Sequence, residues 1–313
     1  MISLRNHVVS LAAVFLALAL GVVLGSTAIS GRLLSGLSDD KSNLGKQVTD
    51  LEAQRNALQG KLTDADRFAL SVGPLAVRGA LEGKSVVMVT TADVKPGDRD
   101  AMNGLLRSAG ASITGELQLT EAFTDPTKAD QLRGLCARML PAGVQLPTAS
   151  DPGTLAAGLI GPLLLLDRGS GKPQATADET SAALTGLAAG GYVRQGPGLH
   201  PAQLALVLTG GTLSGDSASD RSATVARFAV QLQRSGSGAV LAGRTGSADG
   251  SGALAVVRAD GGGSAALSTV DDLDLPAGQV VSVLALREQA QGRSGRYGTA
   301  VNAQAPAPTS ANG

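Results

Sequence analysis

The residues of this chain that could bind a soft metal ion are few and lie far apart. Soft metal ions prefer thiol, thioether and imidazole ligands. Cys136 and Met139 are three positions apart on a predicted helix and therefore share a face, whereas His200 lies between Gly198 and Pro201 in a predicted loop. We treat these three residues as weak candidate metal ligands. The alternatives are a buried thiol beside a core methionine and an exposed turn histidine, and we predict no resident cofactor.

Motifs of hydrolases and nucleotide-binding enzymes are incomplete. No serine has glycine at both the second preceding and the second following position, so the nucleophile elbow is absent. The segment GALEGKS, which begins at Gly79, is one residue too short for a phosphate-binding loop and leads into a strand. Asp271, Asp272 and Asp274 precede a predicted helix, where carboxylates act as caps. We therefore predict that the chain is not an enzyme.

The best remaining candidate for a ligand-binding loop is VLTGGTLSGD, at the end of a predicted strand. In a parallel sheet, ligands bind at the carboxyl ends of the strands. Thr209, Gly210 and Gly211 could therefore line a pocket. The alternative is a tight turn whose glycines need a positive φ.

Predicted strands and helices alternate around these residues. Strands are predicted at 85–89, 113–119, 204–208 and 239–241, and helices at 98–108, 128–140, 176–189, 222–233 and 276–289. Such alternation favours an α/β domain with a mainly parallel sheet covered on both faces. We assign this domain to residues 73–297, and we expect residues 298–313 to form a disordered tail because they have little to bury.

A long apolar segment precedes the domain. No charged residue lies between Asn6 and Gly31, and the apolar run approaches the roughly 20 residues that cross a bilayer. We predict a single-pass transmembrane anchor in residues 1–32, with a signal cleaved near Ser26 as the alternative. Because Arg5 precedes the span, the positive-inside rule places the N-terminus in the cytoplasm and the bulk of the chain in a periplasm-like envelope space.

A heptad pattern of leucines follows the anchor over residues 33–72. Two positions of each heptad form an apolar seam, which Lys41 and Arg55 interrupt. The seam consists of Leu34, Leu37, Leu44, Val48, Leu51, Leu58 and Leu62. We predict a coiled-coil stalk that joins copies of the chain or captures a partner protein. The alternative is a single amphipathic helix that packs on its own domain.

The composition excludes one class of partner. With 26 basic and 26 acidic residues among 313, the chain lacks the basic character that nucleic acids require. It has a single cysteine, so no disulfide can form within the chain.

Several of these segments together resemble the actinobacterial copper transporter MctB family. They are ISLRNHVVSLAAVFLALALGVVLGS, the leucine-rich helix, GKSVVMV, VLTGGTLSGD, VLAGRTGS, STVDDLDLPAGQVVSVLALREQ and RYGT. The resemblance covers nearly the whole chain. It implies an envelope protein of copper efflux and homeostasis, with copper as the transported ion, and a channel-forming protein of the outer membrane. A related branch of the family implies control of cell separation through partner proteins.

The residues themselves favour an indirect part in copper export. Two tyrosines and no tryptophan cannot form the aromatic belts of an outer-membrane pore, and copper ligands are not clustered. We therefore expect an anchored periplasmic component. The alternative is a non-enzymatic envelope scaffold that recruits a cell-wall remodelling or cell-separation partner through its coiled coil. A third hypothesis, an exported domain that senses a nucleotide or a metabolite, depends on the sheet pattern and on the segment TGGT, which contains Thr209, Gly210 and Gly211.

Overall fold

The structure is a computed structural model that describes residues 4–261 and 264–309, without the side chains of residues 4, 27–40, 42 and 264. The chain divides into two units, Met1–Ala65 and Asp66–Gly313. The first unit consists of a single helix within its described residues, and this helix, α1, extends over Leu4–Ala76.

A seven-stranded sheet forms the centre of the second unit, in the order β3-β2-β1-β4-β5-β6-β7. The edge pair of β2 and β3 is antiparallel, and the other strand pairs are parallel. The strands are β1 (Ser85–Thr90), β2 (Ser112–Leu119), β3 (Val193–Gln195), β4 (Leu204–Thr209), β5 (Gly238–Gly243), β6 (Ser268–Val270) and β7 (Arg296–Tyr297). The predicted α/β class with a mainly parallel sheet is confirmed.

Helices cover both faces of the sheet. They are α2 (Pro96–Ser108), α3 (Glu121–Thr124), α4 (Ala129–Arg138), α5 (Pro152–Leu164), α6 (Ala177–Ala189), α7 (Ala218–Ser235), α8 (Ala253–Ala259) and α9 (Pro276–Ala290). Successive strand residues point to opposite faces, so Val87 and Val89 belong to one core with α4 to α8, whereas Val86 and Met88 belong to a second core with α2 and α9.

Local chemistry explains where several helices begin. Thr176 and Glu179 form a reciprocal capping box at the start of α6, which satisfies two backbone N–H groups. Pro276 opens α9, as its fixed φ permits at the first helical position. The predicted capping of α9 by the Asp271–Asp274 cluster is wrong: the residue before the helix is Leu275, and no described side chain caps its first turn.

The end of the chain lies against the sheet through residue 309. A parallel bridge joins Tyr297 to Ala305, and the Gln304 amide donates to the Arg296 carbonyl at 2.7 Å. Ala305 and Ala307 also pack on the second core. Residues 298–309, which we expected to be disordered, therefore find backbone partners at the edge of β7, and residues 310–313 lie outside the described part of the chain.

Candidate functional site

A cleft lies where the carboxyl ends of β1 and β4 meet. The connection that follows β1 leads to β2 on one side, and the connection that follows β4 leads to β5 on the other side. The two connections therefore diverge and leave a crevice between the strand ends. Residues from both strand ends, the β2–α4 connection, α7 and α8 line it. The polar lining residues are Thr91, Asp93, Thr120, Thr124, Thr209, Arg221 and Ser222.

The predicted ligand loop borders this cleft. Thr209 ends β4 and is buried, and Thr209 and Gly211 line the cleft. A Cβ atom at Gly210 would collide with the Asp93 carboxylate, and one at Gly211 would lie 2.9 Å from the Thr245 carbonyl oxygen. Neither glycine has a positive φ. The alternative of a turn that needs positive φ therefore does not apply to these two glycines, although Gly215 of the same segment has a φ of 94°. Gly210 and Gly211 permit a close approach of neighbouring chain segments instead.

Hydroxyl groups dominate the floor of the cleft. The Thr91 hydroxyl donates to Asp93 Oδ1 and lies 3.4 Å from Thr209 Oγ1. The Thr120 hydroxyl donates to the backbone carbonyl of Gly191 at 2.6 Å. These contacts fix the strand ends relative to one another.

One positive charge borders these hydroxyl groups. Arg221, in the first turn of α7, places its Nε atom 3.4 Å from Thr124 Oγ1. Nearby, hydrogen bonds from the hydroxyl and backbone N–H of Thr127 lower the pKa of Asp125, to which the charges of Lys128 and Arg221 add a smaller effect. The cleft therefore combines a guanidinium group with buried hydroxyls.

The candidate metal ligands do not converge on one place. Cys136 is fully buried in the first core, and burial raises the pKa of its thiol to about 12. Met139 packs at the edge of the same core. His200 is exposed, and its backbone N–H donates to the Thr114 carbonyl at 2.8 Å. Within residues 4–261 and 264–309, no group of three or more His, Cys, Asp or Glu is placed to hold a metal ion.

The three aspartates before α9 have separate partners. Asp271 forms a buried ion pair with Arg258 at 2.6 Å. Asp274 accepts hydrogen bonds from the backbone N–H and the hydroxyl of Thr245, at 2.7 and 3.0 Å. Asp272 Oδ1 is buried without a hydrogen-bond partner among the described residues. The sequence pattern did not identify this network because Arg258 is 13 positions from Asp271.

The N-terminal unit is a continuous apolar and then amphipathic helix. Arg5–Ser26 is long and apolar enough to cross a membrane, with a mean hydropathy of 2.7. Beyond it, the described seam residues Leu44, Val48, Leu51, Leu58 and Leu62 are between 53% and 63% exposed. The side chains of Leu34 and Leu37 lie outside the described residues. The helix is therefore present as predicted, and its apolar stripe is free of contacts from its own unit.

Known proteins resemble this chain along almost its whole length. A family model described as "Copper transport outer membrane protein, MctB" matches residues 1–308. The chain belongs to the MctB family. Proteins named "Copper transporter MctB" from Mycobacterium tuberculosis and Mycobacterium bovis are each 43% identical to it over 304 residues, which is 96% of this chain and 96% of each relative. The protein of that name from Mycobacterium leprae is 40% identical over 306 residues, or 95% of this chain and 96% of the relative.

The MctB match confirms the resemblance that the sequence segments indicated. It extends from the apolar helix to the segment paired with β7, so it covers both units of the chain. The family description and the apolar helix together associate the chain with a membrane. Arg221 and Ser222, which border the cleft beside the candidate loop, were not identified from the sequence, although a serine on the apolar face of α7 was an available signal.

Proposed function

We propose that this chain acts in copper transport in the cell envelope as a membrane-anchored protein and not as an enzyme. The observation on which this proposal rests is the MctB match over residues 1–308. The mycobacterial relatives named copper transporters cover the same range of elements, from the apolar helix to the C-terminal strand.

The proposed contribution to copper transport is indirect. Copper ions are held by grouped thiolate, thioether or imidazole ligands, and a thiol whose pKa is about 12 stays protonated at neutral pH. Cys136 and Met139 lie in one core, and exposed His200 lies elsewhere. The domain therefore supports export by other envelope components, while copper itself passes along another route.

The proposed topology has one span. Arg5–Ser26 crosses the cytoplasmic membrane with its N-terminus in the cytoplasm, because Arg5 precedes the span. The sheet domain then lies in the envelope space. The family description names the outer membrane, and a domain that extends from an inner-membrane anchor can act on components held there.

The proposed assembly is a parallel coiled coil of two copies. The seam residues from Leu44 to Leu62 are exposed in a single chain, and burial of each leucine in a partner seam contributes about 1.5–3 kcal/mol. In a parallel pair, Lys61 of one copy faces Asp66 of the other across the seam, which is a favourable pairing of flanking charges. Tethering of both copies by their N-terminal spans raises their effective concentration.

Deletion of the gene tests the copper role. We expect higher intracellular copper and greater copper sensitivity in the deletion strain, measured by elemental analysis and by growth in graded copper. Complementation with the wild-type gene is the positive control. Unchanged copper content and sensitivity would overturn the proposed role.

A complementing variant tests the indirect mechanism separately. The triple variant Cys136→Ala, Met139→Leu, His200→Gln removes the candidate ligands and retains the core volume as closely as these positions allow. We expect it to restore copper resistance as well as the wild-type gene does. Failure of a stably expressed triple variant to restore resistance would show that the chain itself handles the ion.

The exposed leucine stripe favours a second candidate function, an envelope scaffold for a cell-wall remodelling or cell-separation partner. An uncovered apolar stripe on a long helix is a docking surface for another helix. A deletion strain with normal copper content and defective cell separation would favour this alternative over the copper role.

A further inference from the structure

We propose that the cleft at the carboxyl ends of β1 and β4 binds a small monoanionic oxyanion group, a carboxylate or a phosphoryl group, through Arg221 and the hydroxyls of Ser222 and Thr209. This inference concerns the sheet domain alone and does not depend on the copper role.

Ser222 provides the first observation. Its side chain lines the cleft, the residue is only 3% exposed, and its hydroxyl has no hydrogen-bond partner in the part of the chain that the structure describes. The hydroxyl oxygen itself is not fully enclosed, so it faces the open space of the cleft. Ser222 is the fifth residue of the 18-residue helix α7, and among the described residues its hydroxyl makes no bond to the preceding turn. A ligand in the cleft would supply the missing partner.

Arg221 provides the second observation. Its Nε atom makes one long contact, 3.4 Å, with the Thr124 hydroxyl, and its charge acts on Asp125. The terminal nitrogens have no hydrogen-bond partner among the described residues. A guanidinium group presents several N–H donors in one plane, which matches a carboxylate or phosphoryl group.

Thr209 adds a third donor. The Thr91 hydroxyl proton is committed to Asp93, so Thr91 can only accept from Thr209, 3.4 Å away. That separation is too long for a strong hydrogen bond, and the Thr209 proton can therefore be donated to a ligand. Thr209 is 6% exposed, which shields such a bond from water.

The first turn of α7 reinforces the preference for negative charge. The N-cap residue, Ser217, makes no side-chain cap, so its helix begins with N–H groups that lack a side-chain acceptor. The helix dipole places partial positive charge at this end. Arg221 ends this first turn and Ser222 follows it, on the part of the helix that borders the cleft.

The surrounding acids restrict which anion can bind. Asp93 is exposed at the mouth of the cleft, and Asp125 lies within the electrostatic range of Arg221. Two carboxylates disfavour a dianion more strongly than a monoanion. The enclosed space is about 20 Å³, which suits about one water-sized group. The ligand therefore places one oxygen of its oxyanion group in the enclosed space, while the rest of the molecule stays at the mouth.

Binding of simple anions to the full-length protein in detergent tests this proposal. The probes are acetate, dimethyl phosphate and inorganic phosphate, titrated by calorimetry at constant ionic strength against chloride. We expect saturable binding of at least one of the two monoanions, weaker binding of phosphate at pH 8 than at pH 6, and no binding of chloride. Acetate and dimethyl phosphate distinguish a carboxylate ligand from a phosphodiester ligand.

Variants locate the site. We expect Arg221→Gln and Ser222→Ala each to weaken binding about tenfold or more, as loss of a hydrogen bond to a charged group does. Arg227→Gln is the matched control, because Arg227 is exposed on the same helix and does not line the cleft. Ser222→Ala removes only the unpartnered hydroxyl, so its unfolding temperature should match or exceed that of the wild type.

Two results would overturn the proposal. One is the absence of saturable binding for all three probes. The other is binding that Ser222→Ala and Arg221→Gln leave at the wild-type affinity.

Discussion

At the scale of single residues, the buried Arg258 guanidinium connects three parts of the domain. It donates to Thr269 Oγ1 on β6 at 3.0 Å, to the Tyr297 carbonyl at 2.8 Å and to Asn302 Oδ1 at 2.7 Å, in addition to its ion pair with Asp271. Asp271 in turn accepts N–H donors from the segment after β7. Because the Arg258 nitrogens and the Asp271 oxygens all have hydrogen-bond partners, both charges can stay buried.

Asp272, the next residue, has no such support. Burial and the neighbouring Asp271 charge raise the pKa of its carboxyl from 3.8 to about 6. The folded protein therefore holds this proton more tightly than the unfolded chain does. The contribution of Asp272 to the free energy of unfolding falls as the pH rises from about 4 to about 6.

We expect Asp272→Asn to remove this pH dependence and to raise the free energy of unfolding at pH 7.5 by about 1–2 kcal/mol. Below pH 4 the variant and the wild type should be similar. Urea unfolding at a series of pH values measures the effect. Asp249→Asn, an exposed position on a nearby loop, is the control, and an unchanged pH profile for Asp272→Asn would contradict the prediction.

At the scale of elements, α1 joins an apolar span to a stripe of exposed leucines. Its described seam side chains are more than half exposed, whereas helices of the sheet domain bury theirs; α5, for example, has ten buried residues. Gly45 and Gly60 each cost about 1 kcal/mol of helix stability relative to alanine. A partner helix that buries the stripe would offset this cost.

We expect the variant Leu44→Asn, Leu51→Asn, Leu58→Asn to weaken self-association of the full-length protein at least a hundredfold, because each copy loses three seam side chains. Analytical ultracentrifugation in detergent measures the change. The unfolding temperature of the sheet domain should not change, because these side chains contribute nothing to its cores.

The matched control places the same number of asparagines away from the seam. Lys46→Asn, Ala53→Asn, Ala57→Asn carries a comparable loss of helix propensity and should associate like the wild type. Equal association of the two triple variants would exclude the leucine seam as the contact.

At the scale of the whole molecule, the long elements other than α5 were predictable, and the shortest strands were not. β1, β4 and β5 each contain an uninterrupted run of four or five buried apolar residues, so their composition alone indicates strands. β3, β6 and β7 have three residues or fewer and are too short to show periodicity. α5 is apolar on all sides and lacks the amphipathic pattern of a surface helix.

The candidate site was predictable only in part, for a related reason. Thr209, Gly210 and Gly211 follow a recognisable strand, so their place at the sheet edge could be inferred from the chain order. Arg221 and Ser222 reach the same cleft because of the path of the loop between β4 and α7 and because of the orientation of α7 about its own axis. Residue types and spacing specify neither the loop path nor the helix orientation.

Membrane attachment determines where the whole chain is located, and introducing charged residues into the apolar span tests this attachment. We expect Val14→Arg, Leu18→Arg to shift the protein from the alkali-resistant membrane fraction to the soluble fraction, since each arginine at the centre of a span costs about 2.5–3.5 kcal/mol. Val14→Leu, Leu18→Ile is the control and should stay in the membrane. A native wild-type protein whose N-terminal sequence begins near Ile29 would contradict the anchor.

The pairing of residues 298–309 with the edge of the sheet determines where a reporter enzyme can be attached. A fusion junction at residue 298 would remove the hydrogen bond between Arg258 and Asn302 and the backbone bridge between Tyr297 and Ala305. The reporter would then be attached to a destabilised domain. Junctions after residue 309 leave both contacts in place, and reporters joined there report the location of an intact protein.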